Sequence, residues 1–240
     1  MRILVTRPEQ AAQRTATRLA QLGHDPVLLP LMVAEHHPDA ALASLNQRHA
    51  AIAVTSAEAI RTLSFLRNTL SVHFDTQVFA VGEATARAAR EIGFYGVQVA
   101  NGTGASMVAI FGETIKRLTS TAPLLYFAGQ PRSPVLEAGL SALKVPVLVC
   151  RAYTMHPLPI EPDVVITTIR QQSIDAVLLY SRETALRLFE LLSSDNDLEP
   201  LLKTPILCLS RNISEAVPTR LRQNVRTADQ PDEDSLLALL

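Results

Sequence analysis

The sequence predicts an α/β protein with two parallel sheets of five strands each. Short apolar runs recur along the chain, and segments of about ten to sixteen residues with helical periodicity separate most of them. Apolar strands that alternate with helices indicate parallel sheets covered by helices on both faces. The ten runs are Ile3–Thr6, Val27–Leu31, Ala51–Thr55, Val78–Val81, Val97–Ala100, Leu124–Phe127, Val145–Ala152, Ala176–Tyr180, Pro205–Leu209 and Val225–Thr227.

The segments between the runs have the apolar stripe of surface helices. In "AEAIRTLSFLRN", Ile60, Leu63 and Leu66 recur at helical spacing and predict a helix packed on one face. The stretch "VFAVGEATARAAREIG", residues 78–93, predicts a buried strand, a glycine turn and a helix. A turn of this kind directs unpaired backbone N–H groups at an anion.

An internal repeat divides the runs into two sets of five. Any one match is weak, but four matches support each other. The paired stretches are "AVTSAEAIRTL" (53–63) with "LLYSRETALRL" (178–188), "VFAVGEATARA" (78–88) with "ILCLSRNISEA" (206–216), "GASMVAIF" (104–111) with "DEDSLLALL" (232–240), and residues 3–30 with 124–150.

The domain boundaries follow from two polar, proline-bearing segments, "LMVAEHHPD" and "RAYTMHPLPIEPD". Their shared character suggests that the chain crosses between domains twice, and we expect the lobes to rotate about these segments. The predicted division is a discontinuous first domain, 1–32 plus 159–240, a second domain, 38–151, and a linker formed by 33–37 and 152–158.

Composition excludes several classes of function. With 22 basic and 23 acidic residues and a net charge of −1, the chain lacks the basic field of a nucleic-acid or lipid-binding protein. No apolar run approaches the roughly 18 residues of a membrane span. The start, "MRILVTRPEQ", does not resemble a signal peptide, so we expect a cytoplasmic protein. Cys150 and Cys208 lie in apolar runs and are expected to be buried, inert thiols.

The turn "VGEATA" does not have the features of a nucleotide site. A dinucleotide fingerprint needs three glycines, whereas only Gly82 is present and Glu83 stands where a phosphate would approach. A P-loop is also absent. The turn, which continues through Ala84, suits a smaller anion such as a carboxylate. The Thr85 hydroxyl is expected either to bond the backbone or to face the ligand.

Two further strand ends carry Thr and Glu three residues apart. "TRPE" and "TSAE" both match a capping box, which predicts that Thr6 and Thr55 cap helices with Glu9 and Glu58. Arg7 adds a positive charge at the first helix start, where it serves either a ligand or an ion pair.

The remaining candidates are neutral. His36, His37 and His156 have no cysteine or carboxylate partner at metal spacing, so a zinc site is not expected. Ser181 and Ser210 follow strands, where serine is usually a cap. Tyr153 lies in the polar linker and either packs its ring or acts as a proton donor.

The sequence resembles the uroporphyrinogen-III synthase family over nearly its full length. The resemblance rests on the order and spacing of "ILVTRP", "VTSAEAIRTL", "VFAVGEATARAAREIGF", "LLYFAG", "VLVCRAYT", "VLLYSRETALRLFELL" and "ILCLSRNISEAV". It implies two flavodoxin-like domains joined by a two-strand linker. It also implies a lyase that cyclises the linear tetrapyrrole hydroxymethylbilane, with inversion of ring D and loss of water, and that uses no metal or organic cofactor.

The resemblance also implies site residues. Tyr153 matches a linker tyrosine proposed as the acid for the departing hydroxyl, and Thr85 matches the threonine of the glycine turn, so both are expected to be catalytic residues. The second-copy turn, "SRNIS", departs from the family's usual small-residue-and-threonine turn, so only Ser210 is carried over from it. The substrate carries several carboxylates, which backbone N–H groups at helix starts can bind. The expected substrate-binding residues are Arg7, Thr55, Ser56, Gly82, Glu83, Ala84, Gly129, Ser181 and Ser210.

Two other functions remain open at the level of sequence. One is a non-enzymatic, two-lobed module that closes on a polyanion, since fold does not specify function. The other is a nucleotide- or flavin-dependent enzyme, which the missing glycine fingerprint disfavours. The expected partners are the small-molecule substrate and, transiently, hydroxymethylbilane synthase as its donor, with no nucleic acid and no membrane. A monomer is expected.

Overall fold

The computed structural model describes the backbone of residues 1–240 and every side chain except those of 112–114 and 116–118. In chain order the elements are β1 (Arg2–Val5), α1 (Glu9–Gln21), β2 (Asp25–Leu28), β3 (Met32–His36), α2 (Pro38–Leu45), β4 (Ala51–Val54), α3 (Ala57–Ser64), α4 (Arg67–Leu70), β5 (Val78–Ala80), α5 (Glu83–Ile92), β6 (Val97–Val99), α6 (Gly104–Leu118), β7 (Leu124–Gln130), α7 (Val135–Ala142), β8 (Val147–Pro157), α8 (Pro162–Gln171), β9 (Ala176–Leu179), α9 (Arg182–Leu191), α10 (Asp195–Leu198), β10 (Ile206–Cys208), α11 (Arg211–Ser214), β11 (Val225–Thr227) and α12 (Glu233–Leu237). Short 3-10 turns lie at Ser71–His73, Glu199–Leu201 and Thr219–Asn224.

The first sheet has five parallel strands in the order β11-β10-β9-β1-β2. Apart from Arg2 at the start of β1, its central strands β1, β9 and β10 are apolar because helices cover both faces. Ile3, Leu4 and Val5 of β1 are fully buried, and so are all four residues of β9. The prediction of a parallel α/β fold is confirmed for this part of the chain.

The second sheet has six strands, in the order β3-β8-β7-β4-β5-β6, of which β4 to β8 pair in parallel. The prediction of five strands is wrong here, because the segment around β3 joins the sheet beside β8. The His37 N–H donates to the Ala152 carbonyl at 2.7 Å, so backbone groups of this segment find partners in β8. The polar side chains of the segment concealed this extended pairing from a search for apolar runs.

The internal repeat predicts matching places in the two sheets, and the strand orders agree with it. If the strands of the second sheet are paired with those of the first as the repeat aligns them, β8-β7-β4-β5-β6 corresponds to β2-β1-β9-β10-β11. The direction of winding reverses between β1 and β9 in the first sheet and between β7 and β4 in the second. Ligands of open α/β sheets bind outside the carboxyl ends of the strands at such reversals.

The chain divides into two compact units, one of residues 1–33 with 156–240 and one of residues 34–155. Each unit has its own core. In the second, one cluster including Ile52, Val54 and Phe127 lies on one side of the sheet, and another including Phe79 and Phe111 lies on the other. The Phe79 and Phe111 rings meet edge to face, with centroids 4.9 Å apart.

The two thiols are free and buried, as the apolar runs around them predicted. Burial raises the pKa of Cys208 to about 12. Burial also raises the pKa of Cys150, although a hydrogen bond with Ser44 works against the shift. Among the described residues, no helix is both long and apolar enough to cross a membrane.

Candidate active site

The expected site residues lie mostly at the carboxyl ends of parallel strands. Arg7 follows β1 and Ser181 lies between β9 and α9 in the first unit. Thr55 and Ser56 link β4 to α3, and Gly82 precedes α5, in the second unit. Each of these positions lies between the end of a strand and the start of a helix. Within each unit, polar side chains and the N–H groups of helix starts therefore lie at the carboxyl edge of that unit's sheet.

Serine caps two of these helices. The Ser56 hydroxyl accepts from the Glu58 N–H at 3.0 Å at the start of α3. The Ser181 hydroxyl accepts from the Thr184 N–H at 3.2 Å at the start of α9. Ser210 occupies the cap position of the short helix α11 without a side-chain cap bond. A cap uses one of the donors at a helix start and leaves others for a ligand.

Both predicted capping boxes are wrong. Helix α1 begins at Glu9 after Pro8, while Thr6 is fully buried at the end of β1, with its hydroxyl 3.5 Å from the Leu178 carbonyl. Thr55 precedes the actual cap of α3, Ser56, and bonds a tyrosine instead. A four-residue pattern does not reveal which of two neighbouring residues enters the helix.

Tyr153 lies in β8 opposite Gly129 of β7, just beyond a bulge. It is only 9% exposed and belongs to the core cluster around Ile52. Burial raises the pKa of the phenol, and a hydrogen bond with Ser56 lowers it by less. The ring lies over Gly129, because a Cβ there would come within 2.3 Å of Tyr153 Cζ. The ring is therefore packed, as the first alternative has it, and its hydroxyl is directed at the start of α3. The role of proton donor stays a prediction.

A second phenol contacts the same strand end. Tyr126 of β7 is 2% exposed, and its hydroxyl lies 3.0 Å from Thr55 Oγ1. Burial raises the pKa of Tyr126, and the hydrogen bond with Thr55 lowers it by less. Thr55 therefore bonds the tyrosine of β7, the strand beside β4, and Ser56 bonds the tyrosine of β8, one strand further along the sheet.

The glycine turn presents backbone rather than charge. Gly82 is the cap residue of α5, with an extended backbone at φ −166°. Glu83 and Ala84 are exposed, and the Glu83 carboxylate is bonded by Arg90 at 2.8 Å. Thr85 is 5% exposed, and its N–H donates to the Gly82 carbonyl at 3.1 Å.

Arg7 is part of a network in the first unit. One Arg7 nitrogen donates to Glu233 at 2.9 Å and to Thr15 at 3.0 Å, and the guanidinium lies 3.9 Å above the centre of the Tyr180 ring. The Tyr180 and Thr15 hydroxyls each donate to Glu233 at 2.7 Å, and Arg18 donates to its other oxygen at 2.9 Å. Arg7 thus forms an ion pair within its own unit.

The network sets the protonation of its members. Burial works to raise the pKa of Glu233. Hydrogen bonds from Thr15, Tyr180 and Arg18, together with the charge of Arg7, outweigh burial and hold the pKa below the usual range. Burial, with the adjoining Glu233 charge, raises the pKa of Tyr180. The carboxylate therefore stays ionised and the phenol stays protonated.

Sequence reasoning missed Tyr126, Tyr180 and Glu233. Tyr180 could have been found, because the internal repeat aligns "YS" at 180–181 with "TS" at 55–56. Tyr126 and Glu233 carry no local signal. They lie 71 and 226 residues from Thr55 and Arg7, the residues they bond.

Two of the three histidines considered for a metal site, His36 and His37, bond other side chains. His36 lies 3.1 Å from a Glu58 oxygen, and His37 lies 2.8 Å from the Thr154 hydroxyl. Within the part of the chain with described side chains, no three His, Cys, Asp or Glu residues could hold a metal ion together. A pocket of about 510 Å³ opens beside α2, lined partly by His36, His37 and Arg151, and none of the expected substrate residues lines it.

The sequence profile described as "Uroporphyrinogen-III synthase HemD" matches residues 13–238. The chain belongs to the uroporphyrinogen-III synthase family. Members of this family are cyclising lyases of haem biosynthesis. The chain is therefore a lyase that acts on a small-molecule substrate. The resemblance inferred from the sequence is confirmed, and the polyanion-binding alternative is not favoured.

Solved structures of uroporphyrinogen-III synthases share the fold. A mutant synthase from the extremely thermophilic bacterium Thermus thermophilus is 19% identical, with 100% of this chain and 97% of that chain covered and a TM-score of 0.59. The synthetase from Helicobacter pylori is 11% identical, with 99% and 96% covered and a TM-score of 0.62. A search of curated proteins finds no significant match.

Proposed function

We propose that uroporphyrinogen-III synthase activity in this chain depends on neutral donors at the carboxyl ends of the strands, with Tyr153 as the proton donor. The observation that carries the proposal is the placement of the Tyr153 phenol, which is packed over Gly129 and bonded to Ser56 at the reversal point of the second sheet. Its raised pKa keeps the phenol protonated at neutral pH, as an acid for this step must be.

The reaction needs one proton at the departing hydroxyl and a confined path for ring D. In the chemistry that the family resemblance implies, the terminal hydroxyl of hydroxymethylbilane leaves as water and an azafulvene forms. Tyr153 donates a proton to the departing hydroxyl. The pyrrole nitrogen loses its own proton as the azafulvene forms, and this proton restores the Tyr153 phenol. The substituted carbon of ring D then attacks the exocyclic carbon of the azafulvene, which forms a spiro intermediate. The bond from that ring D carbon to the bridge from ring C breaks. The unsubstituted α carbon of ring D then bonds the freed bridge and loses its proton, so the macrocycle closes with ring D inverted. The protein contributes mainly position, because unassisted closure gives the uninverted isomer.

The substrate carboxylates are assigned to hydroxyl and backbone N–H groups. Ser56, Ser181 and Ser210 begin helices, and Gly82 begins α5 without a side chain to block approach. Unpaired N–H groups at such positions favour anions. We assign carboxylate contacts to the backbone at Glu83 and Ala84 and to the Thr55 hydroxyl. The Glu83 carboxylate itself is committed to Arg90.

Three expected residues take revised roles in the proposal. Gly129 provides the space for the Tyr153 ring rather than a contact with substrate. Thr85 is buried beside the exposed Ala84, so it positions the glycine turn and does not touch the reacting atoms. The Arg7 guanidinium is already engaged by Glu233, Thr15 and Tyr180. Only its remaining N–H groups can bind substrate, and the Arg7 side chain is 26% exposed.

We further propose that the two units are separate domains, with boundaries at 1–32 plus 159–240 and at 38–151. The first sheet, numbered within its unit and with β1 and β2 as its first two strands, has the order 2-1-3-4-5 of flavodoxin-like folds. If β4 to β8 of the second sheet are numbered 1 to 5 in chain order, the spatial order β6-β5-β4-β7-β8 reads 3-2-1-4-5. The flavodoxin-like character of the second sheet therefore rests on the repeat rather than on chain order. Segments 33–37 and 152–158 form the linker.

The setting of the enzyme is also proposed. We infer a monomer in the cytoplasm that receives hydroxymethylbilane by transient hand-over from hydroxymethylbilane synthase, without nucleic acid or membrane. The balanced charge and the two buried free thiols support this inference.

The test is a coupled assay. Hydroxymethylbilane is generated in situ, the protein is added, and the oxidised porphyrin isomers are separated by chromatography. We expect isomer III in place of isomer I with the wild-type protein. Tyr153→Phe should form isomer III much more slowly at an unchanged melting temperature. A Tyr153→Phe protein that forms isomer III at the wild-type rate would remove Tyr153 from the proposal.

A further inference from the structure

Two adjacent hydroxyl residues follow β4, and each is bonded to a phenol from another strand of the same sheet. Ser56 is bonded to Tyr153, which the proposed function uses. Thr55 Oγ1 lies 3.0 Å from the hydroxyl of Tyr126, a residue that the proposed function does not use. The bond lies at the reversal point between β4 and β7, where Val54 pairs with Phe127. Tyr126 is therefore next to the site without facing the ligand.

The direction of this hydrogen bond follows from burial. Tyr126 is 2% exposed, and among the described side chains its hydroxyl bonds Thr55. A buried phenol proton without an acceptor costs about 1–3 kcal/mol. Thr55 is only partly buried, so its own proton can reach water or a ligand. The lower-energy arrangement has Tyr126 donating and Thr55 accepting.

A threonine hydroxyl that accepts this bond still has one proton to give. The Thr55 hydroxyl cannot donate this proton to Tyr126, because Tyr126 is already the donor of the bond between them. The Thr55 proton is therefore directed away from the core. A hydroxyl that accepts a hydrogen bond also becomes a better donor. The Tyr126 ring is held in the core cluster with Phe79 and Phe111, which fixes the phenol oxygen and, through it, Thr55.

We propose that Tyr126 is a positioning residue that makes the Thr55 hydroxyl an oriented donor to a substrate carboxylate. The inference rests on the proposed role of Thr55 in binding. Tyr126 does not touch the substrate and takes no part in the proton transfer assigned to Tyr153. It acts on substrate affinity, because an oriented donor costs less entropy on binding than a freely rotating one.

The test compares Tyr126→Phe, Thr55→Val and the double variant in the coupled assay. Tyr126→Phe should raise KM for hydroxymethylbilane about fivefold, which corresponds to the loss of about 1 kcal/mol of hydrogen bonding, with kcat near that of the wild type. The double variant should match Thr55→Val, because Tyr126 acts only through Thr55. Thr55→Ser, which keeps the hydroxyl, should raise KM less than Thr55→Val does.

The control is Tyr95→Phe, since Tyr95 is 76% exposed and lies outside the site. An unchanged KM in Tyr126→Phe would overturn the inference. Effects of Tyr126→Phe and Thr55→Val that simply multiply in the double variant would do so too, as would a fall confined to kcat. A wild-type protein that yields only isomer I would instead refute the proposed function, so the two failures are separable.

Discussion

A methyl group added at Gly129 should disable the proposed proton donor without touching it chemically. The Cβ of Gly129→Ala would lie 2.3 Å from Tyr153 Cζ and 2.4 Å from its hydroxyl oxygen. Carbon atoms normally meet at about 3.5–4.0 Å, so the ring must move by more than about 1 Å. Tyr153 is packed in the core around Ile52, so a displaced ring has to push against buried neighbours. A misplacement of about 1 Å costs roughly 100-fold in rate.

We therefore expect kcat for isomer III to fall about 100-fold in Gly129→Ala, measured in the coupled assay. The matched control is Gly96→Ala in the same unit, whose Cβ would lie closest to the tip of the Gln77 side chain, at 3.3 Å, and in ordinary contact with the Gln77 backbone, at 3.9 Å. This variant should keep wild-type activity. Crowding also costs about 1–3 kcal/mol of stability, so both variants are assayed well below their melting temperatures.

A combination with Tyr153→Phe separates the two possible causes of the loss. If Gly129→Ala acts by displacing the phenol, it should cost much less in the Tyr153→Phe background, where no proton donor remains. A folded Gly129→Ala protein with full kcat would refute the reasoning. So would a loss of equal size in both backgrounds, because it would place the effect of the methyl group elsewhere.

Three further outcomes are expected. Tyr153→Phe should lower kcat far more than it raises KM, because the lost proton is needed only in the transition state; a rise in KM alone would contradict this. Glu233→Gln should lose about 2 kcal/mol of unfolding free energy at pH 7. Because the pKa of Glu233 is lowered by folding, its contribution is complete above about pH 4.5 and is lost as pH falls through the folded pKa, so urea unfolding should show the difference from wild type vanish in acid. Cys150 and Cys208 should resist a thiol reagent at pH 8 until urea unfolds the protein, and rapid native labelling would show that they are accessible.

The fold was predictable because its signals are local and repeated. Apolar runs mark strands buried on both faces, and the repeat assigned the strands to equivalent places before any pairing was known. The sixth strand of the second sheet was not predictable in this way. The residues of β3, "MVAEH", alternate in burial and include two charged or polar side chains, so they do not form an apolar run. Its pairing with β8 depends on a segment more than a hundred residues away.

The strand ends that carry the candidate site were predictable, but the hydrogen-bond partners of their side chains were less so. Strand ends gave Ser181 and Gly82 as the starts of helices, as the structure has them. The Thr–Glu spacing failed because Pro8, not Thr6, caps the first helix. It failed at Thr55 because a buried phenol competes for the hydroxyl. Such competition depends on tertiary contacts, which a capping pattern does not include.

The two copies of the repeat use the same positions in different ways. In the first unit, residues 180–181 follow β9, and Tyr180 donates to a carboxylate of the chain itself, Glu233. In the second unit, residues 55–56 follow β4, and the side chains that their hydroxyls bond are neutral phenols. The first position is thus satisfied internally by paired charges, whereas the second keeps uncommitted donor capacity. A ligand with several carboxylates gains more from the second, because no internal anion has to be displaced there. This difference is why we assign the chemistry to the second copy and a secondary binding role to Arg7.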